Sequence, residues 1–177
     1  CGLGGALTSV DCRSGLAVGR MRVHYENLQP GTTYYLRVYT GTTVSGTFTP
    51  LFFGPPANDE ISGAVQLSAS ASTFATPTTQ HWTYGASRSY GRMCGTVGTP
   101  DDDVWFRFIA TGATHTINAQ RYNGEFLEDL PSSAMRIEAY AGFHTDSVDL
   151  QSNVLGCGAN TLVLSGLAAG DTIYFRV

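Results

Sequence analysis

The sequence predicts an all-β protein built of β-sandwich modules in tandem, and three observations predict it. The first is an internal repeat. Residues Leu28 to Val38 read L-Q-P-G-T-T-Y-Y-L-R-V, and Leu167 to Val177 read L-A-A-G-D-T-I-Y-F-R-V. Six of the eleven positions match at a constant offset of 139 residues, which is an ordinary size for one β domain. The second is composition: 21 glycines and only 14% charged residues in 177 suit a turn-rich β chain better than a helical bundle. The third is periodicity. No stretch of ten residues carries a 3.6-residue period, and the nearest, Leu127 to Ile137, is interrupted by Pro131.

Taken in order, Cys1 to Gly19 is Gly-rich and loop-like. Strands are predicted at Arg20–Glu26, Thr32–Tyr39 and Thr42–Phe53. In the second of these, Pro30-Gly31 makes a turn, after which Tyr34, Leu36 and Val38 alternate with Thr33, Tyr35 and Arg37. Gly54 to Asp59 is a proline-stiffened linker. Beyond it, Ala64–Leu67 is a short strand, Ser68–Thr79 is low in charge, and Trp82 and Tyr84 alternate on one face of His81–Ser87. Asp101 to Ile109 contains the clearest strand, with Val104, Phe106 and Phe108 on one face and Trp105, Arg107 and Ile109 on the other. Thr114–Ala119, Ala134–Tyr140, Thr161–Leu164 and Thr172–Val177 follow. About seven short strands with turns between them predict an Ig-like or jelly-roll-type sandwich.

The phase of the repeat predicts that the sequence begins and ends mid-module. Residues 1–54 are then the C-terminal strands of one module, and 55–177 most of a second whose last strand is missing. Thr42–Phe53 or its equivalent is expected to supply that strand. The absence of an initiating Met is read the same way, with any secretion signal removed or outside this piece.

Net charge is −4 and thinly spread, without a basic patch, so nucleic acid is not an expected partner. No apolar run reaches membrane-spanning length, so membrane insertion is not expected. All ten basic residues are Arg, whose forked, weakly hydrated head makes contacts Lys cannot. Cys1, Cys12, Cys94 and Cys157 show no zinc spacing. An even count in a turn-rich chain predicts disulfides and an oxidising compartment. Cys1 and Cys12 flank a short loop and are natural partners, which would leave Cys94 to Cys157; three pairings remain open.

The order P-A-N-D-E at Pro56, D-D-V-W-F-R-F at Asp102, A-Y-A-G at Ala139, a Cys, and L-x-x-G-x-T-x-Y-x-R-V resembles the repeated β-sandwich domains of secreted Bacteroidota proteins. Those are related to the bacterial pre-peptidase C-terminal domains. The resemblance covers Pro55 to Val177, with Cys1 to Phe53 as the tail of another copy. The pattern at Cys1 to Cys12 also resembles that family, in which such cysteines are commonly paired. The chain departs from it at Ile61, where Cys often stands, and in Phe143–Gly156, which lacks the first Cys of a pair. The resemblance implies an extracellular, non-catalytic module.

Asp101, Asp102 and Asp103 are candidate calcium ligands, calcium being the one cofactor considered, though such a run also caps turns and blunts sheet edges. Trp82, Tyr84 and Tyr90 are candidates for a sugar-stacking platform, as against core and rim packing. Ser147 and Thr172 follow Asp in short sequences resembling Bacteroidota O-glycosylation sites. His24, His81, His115 and His144 are scattered, and no G-x-S-x-G is present. Glu125, Glu128 and Asp129 lie in a polar loop rather than as a catalytic pair. These observations predict no enzyme. They predict a repeat unit of a cell-surface adhesin or extracellular filament, joined head-to-tail to copies of itself or neighbouring modules by strand addition. The alternative is a carbohydrate-binding accessory module of a secreted hydrolase, whose ligands would be surface glycans.

Overall fold

The computed structural model describes residues 28–39, 46–47, 49–50, 52, 54–69, 81–83, 85–91, 94, 102–122, 127–128 and 135–177, with backbone alone at 121–122 and 127–128. The chain divides into two compact units, Cys1–Leu51 and Phe52–Val177.

In the first unit, Pro30 and Gly31 form the turn that their order predicts. The Thr32 amide donates to the Gln29 carbonyl at 3.1 Å, and Gly31 has φ 78°, a left-handed value that glycine adopts without a Cβ penalty. The expected strand Thr32–Tyr39 is not formed: residues 32–39 join no ladder, and all are exposed. The period-two pattern is there, but a strand exists only through hydrogen bonds to a neighbour. Residues 46, 47, 49, 50 and 52 of the expected strand Thr42–Phe53 are also outside any strand. The rest of that stretch, and Arg20–Glu26, lie outside the described residues.

The second unit is all-β. Its strands among the described residues are β1 (Val65–Gln66), β2 (Trp105–Ile109), β3 (Thr114–Asn118), β4 (Arg121–Tyr122), β5 (Leu127–Glu128), β6 (Ile137–Ala141), β7 (Val154–Gly158), β8 (Thr161–Ser165) and β9 (Thr172–Arg176). A five-stranded sheet has the order β1-β2-β9-β6-β7, and β3 pairs with β8 in a separate sheet. Glu128, expected in a polar loop, has its backbone in β5, paired with Arg121. β9 is central, antiparallel to β2 on one side and to β6 on the other. Its ladder runs on past Arg176, because Val177 and Val104 exchange both backbone hydrogen bonds at 3.1 Å.

Alternation decides the core. Phe106, Phe108, Ile137, Ala139, Ile173 and Phe175 from the five-stranded sheet share one cluster with Ile117 of β3 and with Leu162 and Leu164 of β8. Burying each such large side chain contributes about 1.5–3 kcal/mol. The opposite face of the sheet is covered in part, with Arg107 and Ile109 of β2 left exposed. Trp105, Tyr140 and Tyr174 are covered there by Ile61, from a 3₁₀ turn at Ile61–Gly63, and by Leu150, from helix α1 (Ser147–Ser152). Asp146 caps α1, accepting from the amides of Val148 and Asp149. Both elements are too short for a periodicity to reveal.

Candidate functional site

Among the described residues of the second unit, a dense polar constellation surrounds Arg176, 2% exposed at the end of β9. The β-register places it opposite Trp105 on one neighbour and Glu138 on the other. Its Nε donates to Glu138 Oε2 at 2.9 Å, and Nη2 donates to the same oxygen. Its Nη1 donates to Asp103 Oδ2 at 3.1 Å. The remaining donors go to the carbonyls of Tyr90 (3.1 Å) and Gly91 (2.8 Å). The guanidinium also lies 5.6 Å from the centroid of the Trp105 ring, within cation–π range.

Further hydrogen bonds fix the two carboxylates. Asp103 accepts from the Ser89 amide (3.2 Å) and hydroxyl (3.1 Å). Glu138 accepts from the Tyr140 hydroxyl (2.7 Å) and from the Cys94 amide (3.2 Å). Ser89 Oγ also accepts from the indole N–H of Trp105 at 2.8 Å. Asp59 holds the start of the same segment through the amide (2.6 Å) and hydroxyl (2.9 Å) of Ser87. Asn58 and Trp105 are joined by two hydrogen bonds, 2.7 and 3.0 Å. Residues 87–91 and Cys94, which join no ladder, are thus pinned to the sheet by side chains and by the disulfide Cys94–Cys157, whose Cα atoms are 6.1 Å apart.

Burial pushes the Asp103 carboxyl above its ordinary value, and Arg176 and Ser89 pull against this without cancelling it. Burial also opposes the charge on Arg176, but Tyr140, Glu138 and Asp103 together outweigh it and hold the guanidinium above its ordinary value. The two directions differ because burial outweighs the neighbours at Asp103, whereas the neighbours outweigh burial at Arg176. Burial likewise raises the Tyr140 phenol. Every one of these groups is satisfied from within. What the arrangement does is hold β9, β6, the entry to β2, residues 87–91 and Cys94 together.

The sequence-predicted site residues fall in different places. Asp103 is the partner of Arg176, Asp102 is exposed, and Asp101 lies outside the described residues. Cys94, Glu138 and Cys157 have ligating atoms close together, but the two sulfurs are joined to each other and Glu138 is held by Arg176. Cys1 and Cys12 lie outside the described residues. Trp82 is 61% exposed. Tyr90 turns inward instead, edge-on to Trp105 at 6.0 Å, with its hydroxyl on the Thr145 carbonyl at 3.1 Å. Tyr84 lies outside the described residues, as do His24, Glu125 and Asp129. Ser147 is exposed at the first position of α1, behind its cap Asp146. Thr172 opens β9 behind Asp171, whose carboxylate accepts from the Ala168 amide at 2.8 Å. Thr172 also lines a cavity of about 400 Å³ with Leu155, Leu167 and Ile173. His81 stands edge-on to Phe106 at 4.7 Å, His115 accepts from the Thr111 amide, and His144 bonds to the Ala141 carbonyl.

Sequence reasoning missed Arg176, Glu138, Asn58, Asp59, Ser87 and Ser89 as one cluster. One signal pointed to it: Arg-Val closes both copies of the repeat. No protein-family model, curated protein or solved structure matches the chain.

Proposed function

We propose that residues 52–177 are a β-sandwich module of a non-catalytic extracellular structural protein, a repeat unit of a cell-surface adhesin or filament joined head-to-tail. One observation carries the reading. The motif L-x-x-G-x-T-x-Y-x-R-V occurs twice, and in its second copy it is the central strand of a sheet, clamped by a fully partnered buried arginine. A motif devoted to sheet assembly, present in two copies 139 residues apart, is what a tandem structural array needs. The Cys94–Cys157 disulfide supports an oxidising, extracellular setting. The resemblance to secreted Bacteroidota repeat domains points the same way.

Negative-stain electron microscopy and intact-mass measurement of the native material test the proposal. Filaments with an axial repeat of one module, or a mass of several modules in one chain, are the expected results. Dispersed particles at the mass of this chain alone would overturn it.

The exposure of Trp82 favours a second reading, a carbohydrate-binding accessory module. It expects polysaccharide to retard the protein in affinity electrophoresis, and Trp82→Ala to abolish the retardation. An unchanged mobility across a panel of neutral polysaccharides would remove it.

A further inference from the structure

The two copies of the motif share a turn and part company after it. Gln29–Thr32 and Ala168–Asp171 are both closed by a 3.1 Å backbone hydrogen bond, with Gly31 and Gly170 at positive φ. The offset then sets Thr33, Tyr35, Arg37 and Val38 on the identical residues Thr172, Tyr174, Arg176 and Val177. In the second copy Tyr174 is 6% exposed, and in the first its counterpart Tyr35 is 77% exposed. Leu36 and Val38 are exposed beside it, and the Arg37 guanidinium lies over the ring of Tyr39 at 5.0 Å. A run of exposed aromatic and aliphatic side chains rimmed by polar ones marks an interaction surface, and a backbone of strand-like sequence that joins no ladder among the described residues is a template for strand addition.

The second copy states what such a strand needs. β9 requires a neighbour on each side, and the level of its arginine requires a buried carboxylate from each flank, supplied here by Asp103 and Glu138. Arg37 carries the same fork. We infer that Thr33–Val38 is a donor strand, and that its acceptor is a β-sheet module built like residues 52–177 with its central strand position vacant and a carboxylate on each flank. The inference rests on the repeat-unit reading and names the contact between units. Main-chain ladders would supply the affinity. The arginine would set the register, because a slip of one residue turns it to the other face of the sheet.

Two substitutions in the full chain, Ile173→Tyr and Phe175→Leu, convert residues 172–177 into the sequence of 33–38. Hydrogen exchange followed by mass spectrometry reads the outcome. Retained protection of 172–177, within about tenfold of the parent, is expected for a strand that fits such a slot. Loss of protection in a chain that is otherwise folded overturns the inference. If the double variant does not fold, the full-chain Arg176→Ala variant decides, because its own strand is loosened while both carboxylates remain. Synthetic peptides of residues 167–177 and 28–38 are expected to bind it within about tenfold of each other, and a 28–38 peptide carrying Arg37→Ala at least tenfold more weakly. Binding of the 167–177 peptide without the 28–38 peptide overturns the inference, as does binding of neither, since the slot would then not select the motif. Absence of filaments in the native material leaves this pairing unaffected, so the two proposals fail separately.

Discussion

The same arginine stands in both copies of the repeat, and the two are expected to differ widely in what they contribute to stability. Arg176→Ala removes the partner of two buried carboxylates and of two carbonyls. Leaving a buried ion pair half empty costs about 3–5 kcal/mol, and each carbonyl stripped of its donor adds about 1–3 kcal/mol. A loss of at least about 5 kcal/mol is a large share of the ~5–15 kcal/mol that holds a typical domain together. Arg37 is exposed, and Arg37→Ala is expected to change stability by no more than about 0.5 kcal/mol. Urea unfolding reports the contrast through Trp105, which is fully buried beside Arg176. With a slope of about 1–3 kcal/mol per molar, the Arg176→Ala midpoint falls by roughly 2 M or more while that of Arg37→Ala stays in place. Arg176→Met combined with Asp103→Asn and Glu138→Gln is expected to recover part of the loss, because no unpaired charge is then buried. Equal shifts for the two single variants, or a shift below about 1 kcal/mol for Arg176→Ala, would refute the reasoning.

Cys94→Ser is expected to destabilise the second unit by up to about 4 kcal/mol on the chain-entropy account of its loop, 63 residues in sequence separation; a thermal midpoint indifferent to both the substitution and a reductant would contradict this. Gly158→Ala sets a Cβ against the Thr161 carbonyl in the turn between β7 and β8, and calorimetry is expected to show a loss of about 1–3 kcal/mol from overpacking. Gly112→Ala, with nothing in reach of its Cβ, is the control. His81 has an exposed edge, but its ring packs on Phe106, and burial pushes the imidazole below its ordinary value. The folded state therefore binds fewer protons than the unfolded state, so this group's contribution is complete above the ordinary imidazole pKa and is lost as pH falls below it. An NMR titration of His81 at or above the ordinary value would contradict this, as would an undiminished pH slope in His81→Phe.

What the sequence determined by itself was six strands of the second unit, β1, β2, β3, β6, β8 and β9, and the residues that face its main core; β4, β5 and β7 were not legible in it. Phe106, Phe108 and Ile117 face the core as their alternation requires, because a two-residue period is a local property of the backbone. The turns at Gly31 and Gly170 were legible for the same reason, since their geometry depends on the residues at the turn itself. Tertiary structure decided the rest. Identical residues at six positions give a central strand at Thr172–Arg176 and no strand at 32–39, because a ladder belongs to its neighbours as much as to its own sequence. The Arg176 cluster draws on Asn58, Asp59, Ser89, Asp103 and Glu138, which are scattered over the chain. No spacing rule joins them, and they meet only because the register of β2, β9 and β6 brings their levels together. Trp105 was read on the face opposite Phe106 and Phe108, and its burial there was not legible, since a six-residue helix and a single 3₁₀ turn, too short to announce themselves by periodicity, close over it.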